Sequence, residues 1–254
     1  MADATAGRYL LDGTWFPVTH GITFLEADAE TCARVLVAWR GEATMRRTGG
    51  VLRTRRVEGA LPDLLTTLLP LKLTSVTRYL LLPTAEGRWT ALLDNAWRGS
   101  EPVAYAGAFP AQPGGMRAVG VVDVPHTFDA RTRSGWFGSR AVAVYEPDPG
   151  SRWGVRGSSV SVSVVDTGRR WELDEPGEGW PLPDPVDRTA RRVQDRLSRS
   201  AVLDLVGALG IRAQDDAFYA PDGWALLVDE VGGHDVAGNA DRSLQQAQEH
   251  DSGA

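Results

Sequence analysis

The sequence predicts an α+β protein built on a largely antiparallel β-sheet, with N-terminal helices and a late helical hairpin. Three observations lead there. Helical spacing of apolar residues is confined to the first third of the chain and to the stretch after residue 187. Between them, the chain changes to short apolar runs rich in β-branched residues and separated by turn-forming segments. Finally, 254 residues at 43% hydrophobic and 24% charged suit one large core rather than a disordered or fibrous chain.

The elements follow in order. Tyr9 to Leu11 and Trp15 to Val18 read as a short opening whose two runs can pair. Ala27 to Trp39 reads as a helix, because Ala29, Cys32, Ala33, Leu36 and Val37 recur at helical spacing and Asp28 suits an N-cap. Cys32 lies on the apolar stripe and is expected as a buried, inert thiol. Arg40 to Arg56 is polar and basic and contains Gly49-Gly50, so it reads as a loop or exposed hairpin. Pro62 to Leu69 is a short helix with proline in its first turn, closed by Pro70.

Thr77 to Leu82 and Trp89 to Asp94 are strand-like and joined by a turn-rich connection, the pattern of an antiparallel hairpin. Arg117 to Val124 and Arg140 to Tyr145 add two strands. Val160 to Val164 alternates with Ser161 and Ser163, which puts valines on a buried face and serines outward. Asp166 to Arg169 forms the turn into a partner strand at Trp171 to Leu173. Pro176 to Pro185 is too rich in proline for regular structure, and Trp180 and Leu182 pin it to the body.

Arg188 to Leu197 reads as a basic helix, followed by a second helix capped by Ser198 or Ser200 and striped with Val202, Leu205, Val206 and Leu209. Trp224 to Val228 rejoins the sheet as a strand. After Gly233 the chain has no aromatic residue and little to bury, so residues 1–232 are expected as one domain and 233–254 as a disordered polar tail.

Composition narrows the function. A net charge of -6 disfavours wholesale nucleic-acid binding, although Arg188, Arg192, Arg196 and Arg199 would form a basic stripe on a helix. No stretch has the apolar length of a membrane span, the opening residues lack a secretory pattern, and Cys32 is alone, so a cytoplasmic location is expected. The only lysine, Lys72, has no glycine-rich turn before it, which excludes a P-loop. Neither a Rossmann fingerprint nor a hydrolase elbow is present, and four histidines with one cysteine show no zinc spacing. No cofactor, no metal and no local catalytic signature are therefore expected; enzyme activity is left open, with a noncatalytic role favoured.

The most distinctive words are Arg78-Tyr-Leu with Pro83-Thr84, Trp89-Thr90-Ala91, Asp94-Asn95, Arg98-Gly99 and Pro125-His126-Thr127. In this order, from about residue 70 to 220, the chain resembles a set of uncharacterised bacterial proteins, actinobacterial in character. The resemblance implies a shared fold and transfers no catalytic residue.

The site expected from the sequence comprises Asp94, Asn95, Trp97, Arg98 and His126. A strand end followed by a polar, glycine-containing loop is where a rigid sheet presents functional groups, and Arg98 can pair an anion bidentately while Trp97 covers it. Asp and Asn after a strand also serve a turn's own hydrogen bonds. Asp123 and His126 meet only if Pro125 turns the chain; otherwise Asp123 faces solvent and His126 satisfies backbone groups at the strand end. Two functions fit: binding of another protein, as an immunity-type or regulatory partner, or a small-ligand or catalytic site where Asp94, Arg98 and His126 converge. Nine tryptophans suit a partner surface and a core equally well; Trp97, Trp136 or Trp153 forming one solvent-facing patch would favour a partner, and burial of all three would remove that support.

Overall fold

The computed structural model describes residues 9–147 and 160–251. Eleven strands are present there: β1 (Gly21–Leu25), β2 (Val51–Glu58), β3 (Leu71–Lys72), β4 (Arg78–Pro83), β5 (Thr90–Asp94), β6 (Ala118–Val124), β7 (Ser139–Tyr145), β8 (Val160–Asp166), β9 (Trp171–Asp174), β10 (Trp224–Val231) and β11 (Asp241–Arg242). The helices are α1 (Ala29–Thr48), α2 (Leu61–Thr66), α3 (Pro102–Ala108), α4 (Arg199–Gly207) and α5 (Leu244–Asp251). Nine strands make one sheet in the order β2-β10-β4-β5-β1-β6-β7-β8-β9, with every neighbouring pair antiparallel. The protein is α+β, as the change of period predicts.

Both faces of the sheet's central part are covered, and the strands alternate accordingly. Leu80, Leu82, Leu93, Val119 and Leu227 join α2 and α4 in one core. Leu81, Leu92, Ala118, Leu226 and Val228 face α1 and α3 in the other. Burying both faces explains why the central strands read as unbroken apolar runs.

Several elements depart from the expectation. β1, which has no distinguishing pattern in the sequence, is the middle strand of the nine. α1 continues past Trp39 to Thr48, into the segment expected as a loop, and stops at Gly49, whose φ of 73° supplies a left-handed C-cap. Its start is as expected, with Asp28 accepting from the Thr31 N–H at 2.7 Å. The basic remainder of that segment is edge strand β2, where arginines discourage pairing with another sheet. The opening residues form a 3-10 turn at Leu10–Gly13 rather than paired strands, and Leu11 N–H donates to Asp216.

The late helical hairpin reduces to one helix, α4, capped by Ser198. Residues 188–197 hold only a short 3-10 turn at Val193–Asp195. The guanidinium of Arg140 takes the Gln194 and Leu197 carbonyls, which a helix would have used internally. Arg188 reaches Asp184 and Glu175, and Arg199 reaches Asp123, so the four arginines form no common helical stripe. The segment expected as a disordered tail contains β11 and α5: β11 pairs with β3, and Ala247 is fully buried. No helix among the described residues is long and apolar enough to cross a membrane.

α3 is positioned by close backbone approach. A Cβ at Gly21 would lie 2.7 Å from Pro102, and one at Gly120 would lie 3.0 Å from the Pro102 backbone, so glycine on both β1 and β6 lets α3 sit against the sheet. This seats Tyr105 over the end of β5, where the candidate site begins.

Candidate functional site

β5 delivers Asp94 to the sheet's end opposite Tyr79 of β4. Asp94 is 1% exposed; its Oδ1 accepts from the Ala96 N–H at 2.9 Å, and Tyr105 hydrogen-bonds the same carboxyl. Burial pushes its pKa up to about 6, against the lowering effect of those bonds. Burial, followed by the neighbouring Asp94, also raises the Tyr105 phenol well above its ordinary value. Arg40 of α1 completes the group by donating from Nε to the Tyr79 hydroxyl at 3.2 Å.

Asn95 is fully buried and spends its carboxamide on the fold. Oδ1 accepts from the backbone N–H groups of Thr77 and Arg78, and Nδ2 donates to the Pro70 carbonyl and Thr77 hydroxyl. Of the two readings of Asp94-Asn95, the turn-forming one therefore describes Asn95, while Asp94 combines a turn bond with a place in a cleft.

That cleft has a volume of about 470 Å³. Trp39 and Arg40 line it from α1, Thr74 to Val76 form another wall, Asp94 and Tyr105 lie at its base, and Trp97, Arg98 and the exposed Glu101 lie along its rim. Arg47 and Lys72 also line it, but Arg47 pairs with Glu230 at 3.0 Å and Lys72 with Asp241 at 2.6 Å. Among the described residues, Arg40 and Arg98 form no ion pair with a carboxylate. A neighbouring cavity of about 300 Å³ shares Arg47 and Lys72; there Arg78 pairs with Asp229, so its cations are already compensated.

Trp97 and Trp136 are half-buried and meet edge to face, with centroids 6.3 Å apart, while the Arg98 guanidinium lies 5.7 and 5.9 Å from their rings. Both indole Nε1 atoms are buried and have no hydrogen-bond partner among the described residues. The Trp97–Trp136 pair is thus neither an open patch nor fully buried, and His250 of α5 covers part of it at 4.9 Å from Trp97 and 5.2 Å from Trp136. Trp153 lies outside the described residues.

His126 does not join Asp94 and Arg98 in the cleft. Its Nδ1 lies 3.1 Å from Asp166 Oδ2 and its ring packs on Trp171. The Gly138 N–H also approaches Nδ1 at 3.4 Å, in keeping with the strand-end role. Asp123 faces Arg199 at 2.5 Å rather than solvent, so the Asp123 and His126 side chains serve different pairs. Burial raises the Asp123 carboxyl while Arg199 opposes that shift.

The cleft residues that sequence reasoning missed are Trp39, Arg40 and Tyr105. Pro102 at the first turn of α3 was the available signal for Tyr105; Arg40 became visible only once α1 continued past Trp39. Cys32 is buried, and burial pushes its thiol up to about 12, as expected of an inert cysteine. No group of three or more His, Cys, Asp or Glu side chains suited to a metal occurs among the described residues. Comparison with known proteins finds no matching family model, curated protein or solved structure.

Proposed function

We propose that the protein binds a small anionic ligand, bearing a carboxylate or phosphate, in the cleft between α1, α3 and residues 74–76. The observation that carries this reading is the presence of Arg40 and Arg98 in one cleft, neither in an ion pair among the described residues, although Arg40 lies near enough to Asp94 to lower that carboxyl's pKa. Guanidinium groups match the planar, two-oxygen geometry of such anions. The raised pKa of Asp94 lessens the negative charge at the base as pH approaches 6. Glu101 at the rim favours a ligand with one compact anionic group over a polyanion.

A second reading uses the same rim. Arg98 over two indoles has the composition of an interface hot spot, and an immunity-type or regulatory partner would insert an Asp or Glu side chain into the cleft. In both readings the protein works in the bacterial cytoplasm, which the single, buried Cys32 suits.

Thermal unfolding and calorimetric titration with phosphate, sulfate and succinate, at constant ionic strength, test the ligand reading. The expected result is ligand-induced stabilisation of the wild type that disappears in Arg40→Gln and Arg98→Gln, each compared with its own ligand-free melting. Equal responses in wild type and variants, or none in the wild type, would reject it. Capture of a specific protein by the wild type but not by Arg98→Gln would then support the partner reading.

A further inference from the structure

We infer that residues 234–251 form a strap that positions two walls of the cleft, with Asn239 holding one and His250 the other. At the first wall, Asn239 Oδ1 accepts from the Thr74 and Ser75 backbone N–H groups at 3.0 and 2.9 Å, while Nδ2 donates to the Ser75 carbonyl at 3.0 Å. One side chain thus fixes the backbone that lines the cleft. Beside it, β11 pairs with β3, whose Lys72 takes the Asn95 carbonyl through its N–H and the Trp97 N–H through its carbonyl. The connection from strap to rim is therefore a continuous backbone ladder.

At the second wall, the His250 ring lies against Trp97 and Trp136, and its carbonyl accepts from the Gly135 N–H at 2.7 Å. Between the two contacts, α5 buries Ala247 and ties Gln248 to the Thr14 carbonyl. Its apolar anchor is limited to Ala247 and the partly buried Leu244, so the polar contacts along its length carry much of its attachment. Release at one end loosens one wall without dismantling the sheet, because none of the nine sheet strands belongs to residues 234–251.

The strap's effect on ligand affinity rests on the proposed anion-binding role, whereas its effect on the walls does not. Hydrogen exchange followed by mass spectrometry, on the full ligand-free chain, separates them. In Asn239→Ala, amides at 73–76 should exchange about tenfold faster, and in Asn239→Asp, which retains the accepting oxygen, by less. In His250→Ala, the faster amides should instead be those at 96–98 and 134–136. Amides of β1 and β5 should be unchanged in all three. Unaltered exchange at both walls, or acceleration spread evenly through the sheet, would overturn the inference. Titration with inorganic phosphate supplies the second arm: about tenfold weaker binding in Asn239→Ala is expected. A wild type that ignores phosphate would reject the anion-binding role, and the exchange result would still decide the strap.

Discussion

Arg199 joins the start of α4 to β6 through Asp123, with Nη2 2.5 Å from the carboxylate and both side chains largely buried. The same guanidinium lies over the Tyr9 ring. Arg199→Ala would leave Asp123 buried without its guanidinium partner, costing about 3 kcal/mol by urea unfolding. Replacing both residues with apolar ones of similar size should recover most of that loss; a single variant as stable as wild type would show that the pair is unimportant.

Asn95→Ala removes one acceptor shared by two backbone N–H groups, together with the amide that donates to the Pro70 carbonyl and the Thr77 hydroxyl. The expected loss is about 3 kcal/mol. Asn95→Asp should also destabilise, because a carboxylate cannot donate to the Pro70 carbonyl. Chemical denaturation of both variants checks this, and near-neutral Asn95→Ala would contradict the clamp.

His20 is 3% exposed, and burial pushes its pKa down to about 3. Its protonated form is disfavoured in the fold, so stability present above pH 6.5 is lost as pH falls from there toward 3, by roughly 3 kcal/mol between pH 7 and 4.5. His20→Gln should flatten this part of the profile. Unfolding measured at several pH values would show parallel curves for the two proteins if the assignment is incorrect.

Asp94 acts in the opposite direction. Its folded pKa is raised to about 6, so its contribution favours folding below the unfolded value near 4 and is lost as pH rises through 6. Asp94→Asn retains an oxygen for the Ala96 N–H and removes the buried charge. It should gain on the order of 1 to 2 kcal/mol relative to wild type at pH 7.5, with the gain shrinking toward pH 4. A pH-independent difference would refute this.

Gly99 has a φ of 83°, and a Cβ there would lie 2.5 Å from the Pro17 carbonyl oxygen. Gly99→Ala should therefore lower the melting temperature and alter the fluorescence of the adjacent Trp97, since the rim must shift. An unchanged melting curve and emission spectrum would mean that the backbone accommodates the methyl group.

The α+β class, the β4–β5 pairing, the buried valines of β8, the Asp28 cap and a serine cap at Ser198 or Ser200 were all legible in the sequence, because they depend on side-chain period and on bonds between near neighbours. Asp94, Trp97 and Arg98, which line or rim the cleft, stood out there too. Folding settled the remainder. It made β1 central and polar β2 a sheet edge, and it turned the carbonyls of Gln194 and Leu197 toward Arg140 instead of into a helix. It likewise separated His126 from Arg98 and brought Arg40, Tyr105 and Asn239 to the same end of the sheet. Strand order and the convergence of side chains arise from contacts between segments remote along the chain, to which local hydrophobic period and capping patterns are blind.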